Sequence, residues 1–133
     1  MTRHSRFERS CSLICRGAAA LILLQTLFFK FTAAPESVYI FSRIGLEPWG
    51  RIGSGVVELI AAILLFTPRL HWLGAAVAIG VLAGAIVSHL TVLGIVVMDD
   101  GGLLFLLALV TVFCCAVVLF LERRSIPLVG VRL

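Results

Sequence analysis

"GRIGSGVVELIAAILLF", residues 50–66, is the stretch that decides how this chain folds. It is an apolar run of nearly bilayer-spanning length, yet it carries one carboxylate, Glu58, seven residues after Arg51. A bare charge in hydrocarbon costs at least about 2.5 kcal/mol even on the lenient insertion scale, so the solvent around this run has to be established first.

Composition establishes it. The chain has 133 residues, of which 61% are hydrophobic and 14% charged. A soluble domain averages closer to one half and one quarter, so an integral membrane protein is expected, in one domain covering residues 1–133. With so little soluble loop, its core must be helix packed on helix inside the bilayer. The formal net charge of +4 does not point to nucleic acid. The basic residues flank apolar runs and do not form a patch with interleaved aromatics, so they report topology.

Working outward from residues 50–66, a bilayer core about 30 Å thick needs roughly 20 helical residues per crossing. Four such runs are present, at about 13–34, 49–67, 70–95 and 102–121. The fold expected is all-α: a four-helix transmembrane bundle with a short interfacial helix between the first and second spans. The uncharged part of the first run, 17–29, is short enough for a secretory signal, but Pro35 and Lys30 sit badly around a cleavage site at "TAA", so a retained span is the reading.

Arg3, Arg6, Arg9 and Arg16 precede the first span, Arg69 lies in the "TPRLH" hairpin, and Arg123, Arg124 and Arg132 follow the fourth. Threading four spans puts all of these on one side. The other side holds the acidic "MDDGG" loop with Asp99 and Asp100, and a connection in which Glu36 and Glu47 offset Arg43 and Arg51. Basic residues stay cytoplasmic, so both termini are expected there, in a multi-pass protein of the cell (inner) membrane.

That connection, "APESVYIFSRIGLEPWG", has helix punctuation: Pro35 for the first turn, Glu36 at the positive end, Val38, Phe41 and Ile44 on one face, and Gly45 for a left-handed stop. Trp49 then suits the aromatic belt. In the third span Ala76, Gly80, Gly84 and Ser88 recur every four residues, a small-residue stripe expected to pack against a neighbouring helix of the same chain, with a second subunit as the other use.

The intramembrane charges can now be placed by depth. At 1.5 Å per residue, Glu58 is roughly 10 Å inside the outer interface, Lys30 roughly 6 Å and His89 roughly 9 Å. Three helices of alternating direction therefore bring their polar groups into the same outer half. Such groups face the bundle interior and need partners, so Lys30 is expected to neutralise Glu58, with Arg51 two turns above it on the same helix and His89 able to change protonation near neutral pH. Lys30, Glu58, His89, Arg51 and Ser88 are the candidate pocket. The bland counterpart is an ion pair that only fixes helix register. Gln25 lies about 140° round the helix from Lys30 and reads as a single interhelical hydrogen bond. His71 in the hairpin and His4 in the tail fall at the wrong end.

Cys11, Cys15, Cys114 and Cys115 include no C-x-x-C and no histidine at ligand spacing, so they read as small apolar residues, and no metal site is expected. No flavin or nucleotide motif is present either, so the residues by themselves make no cofactor evident.

"FFKF" at 28–31, "PESVYIFSRIGLEPWGRIGSGVVELIAAILLFTPRLHWLGA" at 35–75 and "AGAIVSHL" at 83–90 together resemble the DoxX-like family of small four-span membrane proteins. The likeness covers about residues 17–121 and includes the order of lysine, glutamate and histidine. It implies a four-helix membrane bundle and, through the founding member, a membrane subunit of a thiosulfate:quinone oxidoreductase working with a soluble or membrane partner subunit. It marks Lys30, Glu58 and His89 as family-like positions and assigns no catalytic role to them.

The leading expectation is thus a redox-associated membrane subunit, accessory or non-catalytic by itself, whose outer polar pocket takes a quinone or another small molecule. The alternatives are a small proton-coupled transporter and a non-catalytic assembly subunit. The lipid bilayer is the one certain partner, oligomerisation is open, and nucleic acid is not expected.

Overall fold

A computed structural model describes residues 6–96 and 101–123. Asp99, Asp100, Arg3, His4, Arg124 and Arg132, which entered the topology reading, lie outside these residues. The described residues are helical throughout, with short connections and no strand among them.

Helix α1, Arg6–Phe31, has 26 residues and starts well before the expected residue 13. The reason is Ser12, which is 2% exposed and hydrogen-bonded to the far end of the chain, so the polar lead-in is held in the helix. Helix α2, Pro35–Arg43, forms as its punctuation implies. Gly45, at φ +76°, closes it: the Gly45 N–H donates to the Ser42 carbonyl at 3.2 Å and the Leu46 N–H to the Phe41 carbonyl at 2.8 Å, the paired bonds of a Schellman stop.

Helix α3, Trp49–Leu65, has 17 residues and is therefore about 25 Å long. Helix α4, His71–Ser88, runs on into a π-helical turn, His89–Leu93, and helix α5 covers Leu103–Leu121. Three helical stretches are long and apolar enough to cross a membrane: Arg6–Phe31, His71–Leu93 and Leu103–Leu121.

The long helices form a closed ring in which α1 and α4 each pack on both α3 and α5. Small residues fill its centre. Ala19, Ala61, Ala75, Ala78 and Cys115 are fully buried, with Leu23, Leu65 and Val118 between them. Backbones can approach closely across such a core, where dispersion replaces the hydrophobic effect as the main attraction. Thr111, also fully buried, donates its hydroxyl to the Leu107 carbonyl at 2.8 Å and leaves nothing unpaired. Large side chains such as Leu21, Ile63, Leu90 and Phe113 point outward.

The tightest approach is at Gly74, where an added Cβ would stand 2.7 Å from the Leu65 nitrogen and 2.8 Å from the Ala61 carbonyl oxygen. The stripe expected to pack, Ala76, Gly80, Gly84 and Ser88, is not the seam: nothing lies within 4 Å of a Cβ built at Gly80 or Gly84. A strict four-residue repeat drifts about 40° per step round a helix of 3.6 residues per turn. Gly74, Ala75, Ala78 and Leu82 follow the helical period more closely, and they are the buried face of α4.

Candidate functional site

A cavity of about 480 Å³ opens in the half of the bundle covered by α2. Every helix contributes to its wall, which is mostly apolar, and the polar groups gather where α1, α3 and α4 meet. The size is that of a small-molecule site.

Lys30 is placed by the last turn of α1 and Glu58 by the middle of α3. Their side chains are hydrogen-bonded to each other, the ammonium to Oε1, and both are buried, Glu58 to 1% exposure. Lys30 Nζ also donates to Ser54 Oγ at 3.1 Å and stands 5.5 Å from the centre of the Phe41 ring of α2. An ammonium buried on three sides by a carboxylate, a hydroxyl and an aromatic face has replaced most of its hydration. Glu58 has not: its second oxygen, Oε2, is buried with no hydrogen-bond partner. Leaving such an acceptor unpaired costs about 1–3 kcal/mol.

His89 is the first residue of the π-helical turn and continues the buried face of α4, seven residues after Leu82, and it is 4% exposed on the cavity wall. Its Nδ1 is 3.0 Å from the Gly94 carbonyl oxygen. A carbonyl only accepts, so Nδ1 carries the proton and in the neutral ring Nε2 is an acceptor. The ring also meets Phe105 edge to face at 5.5 Å between centroids.

Lys30, Glu58 and His89 are thus brought to one cavity. Ser88 is there too, but its hydroxyl donates to the Gly84 carbonyl at 2.9 Å. Arg51 is buried and turned elsewhere: Nε donates to both Glu47 oxygens, at 2.9 and 3.0 Å, and Nη1 to the Lys30 carbonyl oxygen. It ties the start of α3 to the end of α1, beside the cavity and not in it. Gln25 lines the same cavity as Lys30 despite its different face, because the space extends along α1.

A second polar cluster, which spacing did not reveal, closes the opposite end of the bundle. Ser12 Oγ donates to Glu122 Oε1 at 3.1 Å, Arg16 Nε to Ser12 Oγ at 3.2 Å and Arg16 Nη1 to the Leu65 carbonyl at 3.1 Å. His71 bridges the two charges, with Nε2 3.3 Å from Arg16 Nη1 and Nδ1 3.6 Å from Glu122 Oε1. Arg16 also stacks over Phe66 at 5.4 Å. Arg16 had entered only as one of the basic residues preceding the first span, and Glu122 had not been singled out. The clue to more was Ser12 standing one turn before Arg16 on the same face.

Among the described residues, no group of three or more His, Cys, Asp or Glu is placed to hold a metal ion. The four cysteines carry no disulfide. No protein-family model, curated protein or solved structure matches the chain. The class is therefore carried by geometry alone: an all-helical bundle with three helices able to cross a membrane and an apolar cavity ending on a buried ion pair.

Proposed function

We propose that this chain is a four-span membrane protein that holds a small apolar molecule of the quinone class in the cavity, as the membrane subunit of an oxidoreductase. The observation that carries the reading is the buried Lys30–Glu58 pair at the polar end of an otherwise apolar, drug-sized space. An ion pair buried for helix register alone needs no cavity beside it.

In this reading α3 is the fourth span. It is about 25 Å long and packs between α1 and α4, so it crosses with them. Helix α2 lies at the outer surface as an interfacial lid, with Ser37, Ile40, Phe41 and Ile44 facing the cavity. The end closed by Ser12, Arg16 and Glu122 is the cytoplasmic one in this reading, because basic residues stay on that side of the cell (inner) membrane. The DoxX-like resemblance agrees with this architecture and supplies the quinone. Glu58 and His89 are the groups that would take or give protons as the bound ring changes oxidation state, Lys30 is the hydrogen-bond partner of Glu58, and a partner subunit exchanges the electrons.

A proton-coupled transporter fits less well. Ala61, Leu65, Ala78, Cys115 and Val118 form a buried apolar layer between the two polar clusters, across the path a substrate would have to take.

The test is equilibrium binding of a short-chain benzoquinone to the purified protein. A change in affinity of tenfold or more in both Glu58→Gln and Lys30→Met supports the proposal. Parent-like binding by both variants, or none by the parent, overturns it and leaves an assembly role, which would show as altered co-purification with a membrane partner.

A further inference from the structure

The cavity's hydrogen-bonding capacity is unevenly spent. Its hydroxyl donors are largely committed to the helices that carry them: Thr26 to the Ile22 carbonyl at 2.7 Å, Ser54 to the Arg51 carbonyl at 3.2 Å and Ser88 to the Gly84 carbonyl at 2.9 Å. The Lys30 ammonium is committed to Glu58 and Ser54 beneath the Phe41 ring. Ser37 and Gln25 can play either part.

The acceptors are in the opposite condition. Glu58 Oε2 is buried, lines the cavity through its residue, and accepts from nothing. His89 uses its proton on Gly94, which turns a lone pair of the neutral ring to the remaining side. A carboxylate oxygen in this position satisfies itself only by receiving a hydrogen bond, and the occupant must bring the proton.

From this we infer that the molecule the cavity is built to hold is a hydrogen-bond donor at its polar end: an apolar compound with a hydroxyl group, the hydroquinone in preference to the quinone. The inference rests on the small-molecule reading of the cavity and names which partner of the redox couple the resting site selects. A quinone offers Glu58 Oε2 only carbonyl lone pairs, so its entry leaves the oxygen unpaired and adds repulsion. A hydroquinone hydroxyl donates to Oε2, and its ring lies among the leucine, isoleucine and phenylalanine side chains of α1, α2 and α5. Sites built to bond a hydroxyl discriminate strongly against analogues that lack it.

The test uses the full chain in nanodiscs under anaerobic conditions and three ligands with the same decyl tail: a benzoquinone, its hydroquinone and the hydroquinone dimethyl ether. The hydroquinone is expected to bind about tenfold tighter or more than either of the others, as one hydrogen bond to a charged acceptor provides. In Glu58→Gln, whose amide can donate to a carbonyl, that preference is expected to vanish or reverse. The comparison of ligands on the parent chain stands even if the variant fails to fold. Displacement of the hydroquinone by 1-decanol at similar concentration keeps the donor inference and assigns the occupant to the aliphatic alcohols. Equal or tighter binding of the quinone, or an undiminished preference in a folded Glu58→Gln protein, overturns the inference while the cavity reading survives. Failure of all three ligands to bind overturns both.

Discussion

Glu58 illustrates what depth alone can establish. Counting 1.5 Å per residue along three helices was enough to bring Lys30, Glu58 and His89 to one level, because a buried charge restricts which way a helix can face. Partner choice was less legible. Arg51, also on α3, bonds Glu47 and the Lys30 carbonyl, since Glu47 is one turn away while Glu58 is two turns deeper. That gives Arg51 a mechanical role with a measurable consequence. Arg51→Met strips the Lys30 carbonyl and Glu47 of their donor, and denaturation in mixed micelles should show a loss of about 1–3 kcal/mol, with ligand affinity nearly unchanged. A tenfold loss of affinity at unchanged stability would place Arg51 in the site instead. His89 was legible too, since it falls seven residues after Leu82 on the buried face of α4, while the π-helical turn that follows it left no mark in the sequence.

Elements were legible where punctuation was strong and less so where packing decided. Pro35, Glu36 and Gly45 bounded α2 correctly, because each answers a local backbone requirement. Gly45→Val should cost about 1–2 kcal/mol, the strain of a branched residue at φ +76°, and raise the solvent exposure of Phe41; unchanged stability would show that the left-handed stop is dispensable. The rotation of α4 was misjudged, since the eye follows a four-residue repeat while neighbours follow the helical period. Gly74 is the residue that matters there. Gly74→Val pushes side-chain atoms into the Leu65 and Ala61 backbone, which cannot yield as a flexible side chain would. A loss of 3 kcal/mol or more is expected, at the upper end of overpacking costs of about 1–3 kcal/mol, while Gly80→Val should stay within about 0.5 kcal/mol of the parent. The reverse order in a thermal denaturation series would contradict the observed seam.

At the scale of the molecule, two polar clusters sit at opposite ends of an apolar ring of helices. The end closed by Arg16 and Glu122 was visible in the sequence only as an excess of arginine. Its cluster went unseen because Ser12, Arg16, His71 and Glu122 come from three helices and meet only when the bundle closes. The topology can be checked with single cysteines in a background free of the native four. Tyr39→Cys on α2 should react with an impermeant maleimide from outside intact cells, and Arg69→Cys in the hairpin only after permeabilisation; the opposite pattern would invert the protein. All of these features depend on a carboxylate kept inside the bundle by a lysine from another helix. The most direct measurement is a double-mutant cycle on the stability of the purified protein. Lys30→Met alone leaves a buried unpaired charge and should cost about 3–5 kcal/mol, as should Glu58→Gln by stranding the ammonium. The double variant should recover about 2–3 kcal/mol of the summed loss, whereas additivity within about 0.5 kcal/mol would show that the two residues do not depend on each other.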